Sequence, residues 1–253
     1  MEWRLQRRGA DYLIFDEALG QAPEPWMFEG GSLTQRGYVT GQGEGGRGQV
    51  LFCDPPIPGC GGEWALRHYL RGGSIARVLG DRYLWTGLKR SRPWREFMLT
   101  RTMRDEGLSV PRPVAARVTR SGLYSRADLI TQRVPDARSL HQRLREGSVA
   151  ASDWCRVGAG IRRFHDAGYC HADLNSRNIL IDVCDRVWLI DWDRGCWRPQ
   201  GPWVRRNLDR LRRDLEKRRR LHRDWPYSDS DFERLLKGYE ASCSEPPGEP
   251  SNG

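Results

Sequence analysis

The sequence has no long apolar run and no closely paired cysteines. No segment approaches the roughly eighteen apolar residues that a membrane-spanning helix requires, and residues 1–4 lack the apolar region of a secretory signal. The seven cysteines include no C-x-x-C pair, and their odd number argues against both a disulfide framework and a zinc site. We therefore expect a protein of a reducing cytosol or of a membrane face.

The composition is that of a basic globular protein. The chain has 253 residues, 38% apolar residues and 11 Trp, enough for one large or two small domains with a buried core. Its formal charge of +9 and its pI near 9.5 predict an anionic partner, namely nucleic acid, an anionic membrane surface or a phosphorylated substrate. The simpler alternative is that the charge only keeps the protein soluble.

Residues 171–193 carry acidic and amide side chains at an informative spacing. Four residues separate Asp173 from Asn178, and Asp191 follows Asn178 by 13 residues, after an apolar run. This is the spacing of the phosphotransfer loop H-R-D-x-x-x-x-N, in which the Asp orients the attacking hydroxyl while the Asn and a later Asp bind Mg²⁺. We interpret Asp173 as catalytic, Asn178 and Asp191 as metal ligands, and His171 as a brace for the loop. The alternative is that these side chains only cap turns.

The same stretch predicts a hairpin that would hold the ligands close together. Apolar residues 179–181 face apolar residues 187–190, and Asp182 and Asp185 bracket the turn. Residues 191–193 read D-W-D, which keeps an aromatic residue but lacks the glycine of the D-F-G triplet.

A glycine-rich segment precedes this stretch. The nucleotide loop G-x-G-x-x-G-x-V of kinases is matched by Gly43, Gly45, Gly48 and Val50. Glycines there let backbone N–H groups approach ATP phosphates without a side-chain clash. Because a chain with 28 glycines makes such a match easily, a plain hairpin turn is the alternative.

The next expected nucleotide contact is an arginine. Residues 63–69 alternate like a strand, and Arg67 stands where the V-A-I-K motif places a lysine for the ATP phosphates. Arginine can hold a phosphate with two N–H groups but is not equivalent to lysine. A helix capped by Ser91 and running to about Met103 supplies Glu96 as the partner of Arg67. The alternatives are an exposed strand arginine and a surface carboxylate.

Two basic segments flank these motifs. Residues 71–95 interleave seven cations with aromatic residues, which suits an anionic glycolipid or membrane headgroups as well as a solvated loop. Residues 205–221 predict a basic helix with a leucine stripe at Leu208, Leu211 and Leu215. Such a helix can lie on an anionic membrane, bind nucleic acid, or simply pack by its leucines.

Apolar periodicity predicts the remaining elements. Residues 114–120 and 123–133 read as two strands joined by a Ser-Gly turn. A helix capped by Ser152 presents one apolar face and ends at Gly168, and a last helix covers residues 229–240.

Several pieces together resemble the bacterial lipopolysaccharide core kinases. They are H-A-D-L-N-S-R-N-I-L-I-D, W-L-I-D-W-D-R-G, L-R-H-Y-L-R-G-G, D-R-Y-L-W-T-G-L and R-E-F, and the likeness runs from about Gly41 to Tyr239. The resemblance implies an α+β, bilobal, protein-kinase-like fold with a small β-rich N-lobe and a mainly helical C-lobe. We expect the N-lobe at residues 1–133, the C-lobe at 134–242 and a disordered tail at 243–253.

The resemblance also implies an activity. The family uses ATP and Mg²⁺ to phosphorylate the 4-hydroxyl of 3-deoxy-D-manno-octulosonic acid (Kdo) on a lipid A precursor, at the cytoplasmic face of the inner membrane. The expected partners are that anionic glycolipid and the anionic membrane surface, to which the protein would bind peripherally, with no nucleic acid. The alternatives are an aminoglycoside- or choline-type kinase, whose cationic substrates suit a +9 chain poorly, and a pseudokinase that binds anionic membrane or nucleic acid without catalysis.

Overall fold

The chain folds into two compact units. A computed structural model describes residues 1–43, 50–70, 81–222 and 224–241. Unit 1 comprises Met1–Gly107 and Pro111–Pro135, and unit 2 comprises Leu108–Val110 and Asp136–Gly253. Unit 1 is built on a sheet and unit 2 is mainly helical, which confirms the predicted α+β class. Within the described ranges, no helix is long and apolar enough to cross a membrane.

Unit 1 is an antiparallel sheet with one long helix. Its elements are β1 (Trp3–Arg8), β2 (Asp11–Asp16), α1 (Gly30–Gln35), β3 (Val39–Gly43), β4 (Val50–Cys53), β5 (Trp64–His68), β6 (Tyr83–Leu84), α2 (Arg92–Asp105), β7 (Pro113–Ser121) and β8 (Tyr124–Gln132). The described strands pair in the order β1-β2-β7-β8-β5-β4-β3, and β6 also pairs with β8. The predicted hairpin of β7 and β8 is confirmed, and Gly122 takes the positive φ of 60° that its turn requires.

Alternation along the strands builds a core on each face of this sheet. Leu13 and Ala115 belong to one buried cluster, while their neighbours Ile14 and Ala116 belong to another. The second cluster contains Phe97 of α2, so the helix is held by the strand residues of that face.

Helix α2 begins where expected, but Ser91 does not cap it. The Ser91 hydroxyl donates a hydrogen bond to the carbonyl of Leu88 at 2.6 Å and makes no bond to the first turn of the helix. The prediction of a side-chain cap was wrong because a carbonyl of the preceding turn competes for the same hydroxyl.

Unit 2 is mainly helical. Its elements are β9 (Arg138–Ser139), α3 (Leu140–Arg145), α4 (Ala151–Asp166), β10 (Tyr169–Cys170), β11 (Ile179–Ile181), β12 (Val187–Leu189), β13 (Cys196–Trp197), α5 (Trp203–Leu221) and α6 (Asp229–Ala241). The leucine stripe of α5 is buried, so the packing alternative for this helix is confirmed. Ser152 lies inside α4 and does not cap it, because the helix begins one residue earlier and the Asp153 carboxylate accepts the N–H of Ala150 at 2.9 Å.

Helices α4 and α6 approach each other closely at two glycines. A Cβ atom on Gly158 would lie 2.0 Å from the carbonyl oxygen of Leu235, and one on Gly238 would lie 2.1 Å from that of Cys155. Because the obstructing atoms belong to the backbone, a larger residue at either position requires the two helices to separate.

Candidate functional site

A hairpin in unit 2 presents the two predicted metal ligands at its open end. Strands β11 and β12 pair with Ile179 opposite Leu189, and the N–H of Ile190 donates to the carbonyl of Asn178 at 3.0 Å. Asn178 and Asp191 therefore lie side by side where the two strands end. This part of the sequence prediction is confirmed by the backbone register.

The turn of this hairpin is held by Asp182. One oxygen of its carboxylate accepts the N–H groups of Cys184 and Arg186, both at 2.9 Å, and the other accepts the indole N–H of Trp188 at 2.8 Å. For Asp182 the turn-capping alternative is therefore correct.

His171 braces the loop that leads into the hairpin. Its Nδ1 accepts the N–H of Asp173 at 3.1 Å, so its Nε2 carries the proton and donates to the carbonyl of Ile190 at 2.9 Å. Burial lowers the pKa of this imidazole, which favours the neutral form that these two bonds require. The predicted bracing role is confirmed.

Asp173 has its backbone fixed and its carboxylate half exposed. The Asp173 carbonyl accepts side-chain N–H groups from Asn175 and Asn178, both at 2.9 Å. The carboxylate is 51% exposed and forms an ion pair with Arg210, whose Nε lies 3.0 Å from Oδ1. The loop therefore holds this acid in one direction while leaving it open to a substrate.

The side chain of Asn178 is held through its amide nitrogen. Its side chain is buried, and its amide nitrogen is used by the Asp173 carbonyl, so Oδ1 is the atom that points elsewhere. Within the described residues no hydrogen bond reaches this oxygen. A neutral oxygen beside the carboxylate of Asp191 is a donor set that Mg²⁺ accepts, with substrate phosphates and water completing its coordination.

The segment that carries Asp191 is strained and anchored. Asp191 has a φ of 62°, an uncommon value for a residue with a side chain, and such strain clusters at functional sites. The next residue, Trp192, is fully buried and packs against Phe164 and His171, with ring centroids 5.4 and 4.6 Å away. Its indole N–H donates to the Leu189 carbonyl at 3.1 Å. The buried indole thus fixes the position of its neighbour.

One face of α5 holds the catalytic loop at three points. Asn207 accepts the N–H of His171 at 3.2 Å and donates to its carbonyl at 2.8 Å. Arg210 pairs with the Asp173 carboxylate, and Asp214 accepts the backbone N–H and the hydroxyl of Ser176 at 3.0 and 2.6 Å. These three residues were missed by the sequence analysis, although their spacing of three and four places them on one helical face.

In unit 1 the predicted ion pair between Arg67 and Glu96 is present. Glu96 on α2 is buried, and its Oε2 accepts hydrogen bonds from Arg67 on β5 and from the hydroxyl of Tyr69. Arg67 also lies 3.2 Å from the Tyr69 hydroxyl, with its guanidinium over that ring. The carboxylate therefore fixes Arg67, whose side chain is 21% exposed.

If Arg67 holds the ATP phosphates, as the sequence analysis expects, replacing it by glutamine should lower kcat/KM for ATP by about 10²-fold, because a cation that would face the phosphates is removed. Losing the partner of a buried carboxylate is also expected to lower the free energy of unfolding by about 1–3 kcal/mol. Steady-state kinetics with varied ATP and urea denaturation measure the two effects. Arg95→Gln is the matched control, because Arg95 is exposed on the same helix as Glu96. An unchanged KM for ATP with reduced stability would limit Arg67 to a structural role.

The glycine segment is described only at its ends. Gly43 and Val50 are opposite each other on β3 and β4, which is the register of a hairpin. A Cβ on Gly43 would lie 3.1 Å from the Phe52 ring, so the glycine allows this close packing. Gly45 and Gly48 lie outside the described residues.

The basic-aromatic segment uses several of its side chains within unit 1. Arg92 donates to the Tyr83 hydroxyl at 2.6 Å, and Trp85 stacks on Tyr12 with ring centroids 5.5 Å apart. Trp94 is buried against Trp3. Residues 71–80 of this segment lie outside the described ranges.

His68 on β5 joins two carboxylates, that of Asp128 on β8 and that of Asp81 in the turn before β6. Its Nδ1 lies 2.6 Å from Asp128 and its Nε2 lies 3.2 Å from Asp81. Arg117 and Arg126 pair with the same two acids. The hydrogen bond to Asp128 raises the pKa of His68 above its usual value, against the opposing effect of burial.

The stability of the protein is expected to fall as this histidine loses its proton. The pKa of His68 is raised in the folded state. Protonated His68 therefore contributes its full stabilisation below the unfolded-state pKa of about 6.5, and this stabilisation is lost as the pH rises through the higher folded-state pKa. Thermal unfolding between about pH 6 and pH 9 should therefore show a larger decline in Tm for the wild type than for His68→Gln. Parallel curves for the two proteins would exclude His68 as the titrating group.

The family model and the curated relatives that match this chain indicate one family. The model of the lipopolysaccharide kinase (Kdo/WaaP) family matches residues 34–239. A 3-deoxy-D-manno-octulosonic acid kinase of Stenotrophomonas maltophilia (strain K279a) is 42% identical, with 92% of this chain and 91% of the relative covered. The protein of that name from Vibrio parahaemolyticus is 38% identical, with 92% and 95% covered. Among solved structures, the bifunctional kinase-methyltransferase WbdD is similar to this chain with a TM-score of 0.41 and 15% identity, covering 81% of this chain and 44% of that one.

Proposed function

The chain belongs to the lipopolysaccharide kinase (Kdo/WaaP) family, and from that premise we propose that it transfers the γ-phosphoryl group of ATP to the 4-hydroxyl of Kdo on a lipid A precursor. The observation that carries the proposal is the half-exposed carboxylate of Asp173, on the loop that ends at Asn178. Arg210 on α5 fixes the direction of this carboxylate. A carboxylate in this position can receive an acceptor hydroxyl.

Asp173 is the catalytic residue of the proposed reaction. Its carboxylate accepts the hydrogen bond of the acceptor hydroxyl and takes the proton as the hydroxyl oxygen bonds to the γ-phosphorus. The bond from that phosphorus to the bridging oxygen breaks, and ADP leaves with the bonding electrons. Arg210 acts through Asp173 and is a positioning residue.

The other predicted site residues would neutralise the negative charge of the ATP phosphates. Oδ1 of Asn178 and the carboxylate of Asp191 would hold Mg²⁺, which supplies positive charge beside the phosphate oxygens. Arg67, fixed by Glu96, supplies a further cation for the nucleotide. The glycine segment, with Gly43, Gly45, Gly48 and Val50, is assigned to the same nucleotide.

We place the protein peripherally on the cytoplasmic face of the inner membrane. The acceptor is an amphipathic glycolipid, and ATP is available on that side. A net charge of +9 supports contact with an anionic surface.

Mass spectrometry of the lipid A precursor after incubation with the protein, ATP and Mg²⁺ tests the proposal. The acceptor is expected to gain one phosphate, and fragmentation should locate it on the Kdo sugar at the 4-hydroxyl. An unmodified lipid acceptor, with phosphate appearing instead on an aminoglycoside or on choline, would overturn the assignment.

A further inference from the structure

A second basic site lies within unit 2, further along α5. A cavity of about 660 Å³ is lined by residues from three parts of this unit. Arg145 comes from α3, Arg177 from the catalytic loop and Arg218 from the last turn of α5, while His222 and Trp225 come from the segment that follows. The mechanism proposed above uses none of these five side chains.

The cavity contains hydrogen-bond donors that the protein does not satisfy. Nε of Arg177 and the indole Nε1 of Trp225 are buried and have no hydrogen-bond partner among the residues that the structure describes, whereas Nε of Arg218 lies 3.3 Å from the Asp214 carboxylate. A buried donor without an acceptor destabilises the folded state, so proteins rarely keep such groups together without a ligand. Two such donors in one lining favour a ligand that accepts hydrogen bonds.

The charge of the lining points to an anion. The lining contains three arginines and one carboxylate, that of Asp224. Arg218 also lies 3.3 Å from Asp214, whose carboxylate is already bound to Ser176. The C-terminal end of α5 carries partial negative charge, but three arginines in its last turn offset that charge.

The shape of the lining suits a phosphate attached to a sugar. The exposed ring of His222 belongs to the same lining and lies 5.9 Å from the buried ring of Trp225, tilted by 33° from it. Guanidinium groups bind phosphate oxygens through paired N–H donors, and an aromatic ring packs against a sugar ring.

We propose that this cavity binds a phosphate group of the glycolipid acceptor while the acceptor hydroxyl lies at Asp173, an inference that rests on the function proposed above. Arg210, which pairs with Asp173, and Arg218 are about two turns apart on α5, or about 12 Å along its axis. An extended acceptor with a phosphate on a neighbouring sugar can reach both positions. The arginine site thus selects acceptors that carry a second anionic group.

The test compares two acceptors, a Kdo-bearing lipid A precursor with its phosphates and the same lipid after phosphatase treatment. The wild type is expected to prefer the phosphorylated acceptor by about tenfold or more in kcat/KM, since removing the phosphate removes a charge-assisted interaction. Arg177→Gln is expected to reduce this preference by about tenfold. Arg145→Gln repeats the test from a different helix, away from the metal ligand Asn178.

Arg213→Gln is the matched control, because Arg213 is an exposed arginine on α5 outside the cavity lining. It removes the same unit of charge and is expected to keep the wild-type preference. An equal loss in this control would assign the preference to net charge and overturn the proposal. A preference that survives both Arg177→Gln and Arg145→Gln would also overturn it.

A binding experiment with inorganic phosphate distinguishes a cavity that binds the lipid phosphate from one that binds free phosphate. If free phosphate raises the Tm of the wild type but not of Arg177→Gln, while the wild type uses both acceptors equally, the cavity binds free phosphate and the acceptor assignment is wrong. If the wild type phosphorylates neither acceptor, the proposed function fails. Binding of the phosphorylated lipid in detergent micelles, weaker in Arg177→Gln than in Arg213→Gln, would still support the phosphate site; equal binding would overturn it.

Discussion

Replacing Asp173 by asparagine is expected to lower kcat by about 10²–10⁴-fold, the range that a positioned proton acceptor contributes. Asparagine has nearly the same size but cannot take the proton of the acceptor hydroxyl. The Asp173 N–H donates to His171, and the Asp173 carbonyl accepts from Asn175 and Asn178. None of these bonds involves the carboxylate, so the loop should keep its conformation. The measurement is the single-turnover rate with labelled ATP and saturating acceptor.

Asp185→Asn is the matched control for this variant. Asp185 lies at the turn of the hairpin that follows the Asp173 loop, is exposed, and has a φ of 60° that asparagine tolerates. Its kcat should equal that of the wild type. An Asp173→Asn protein that keeps more than about a tenth of the activity would remove Asp173 from the catalytic role, and a wild type without turnover would support the binding-only alternative.

Gly238→Ala is expected to lower the free energy of unfolding by about 3 kcal/mol or more. The added methyl group would meet the Cys155 carbonyl oxygen at 2.1 Å and its Cα at 2.5 Å, so α4 and α6 must separate. The higher helix propensity of alanine returns only about 1 kcal/mol. Urea denaturation, followed by circular dichroism, measures the change.

A second glycine substitution provides the control for this effect. Gly31 lies in α1, and a Cβ at that position would meet nothing within 4 Å. Gly31→Ala is therefore expected to leave the protein unchanged or slightly more stable. If Gly238→Ala were as stable as Gly31→Ala, the close packing of α4 and α6 would not contribute to folding.

The parts of the structure that follow from local patterns could be predicted from the sequence. Alternation and a Ser-Gly turn were sufficient for β7 and β8, and the apolar run on each side of Asp182 was sufficient for the catalytic hairpin. Helix starts were less predictable. Ser91 and Ser152 are both good capping residues by type, but Leu88 binds the first hydroxyl and Asp153 replaces the second.

The contacts of α5 could not be predicted, because they depend on tertiary packing. The sequence indicated a basic helix with a leucine stripe, and its charge suggested a surface for lipid or nucleic acid. Nothing local distinguishes Arg210, which meets Asp173, from Arg213, which is exposed. Only the fold shows that Asn207, Arg210 and Asp214 face the catalytic loop.

The burial of Trp192 opposes any movement of the segment that carries Asp191. Moving its buried indole into water would expose about 200 Å² of aromatic surface, at a cost of about 4–6 kcal/mol. At equilibrium an out-turned conformation would then hold about one molecule in 10³–10⁴. The segment that carries Asp191 is therefore expected to keep its place whether or not a substrate is bound.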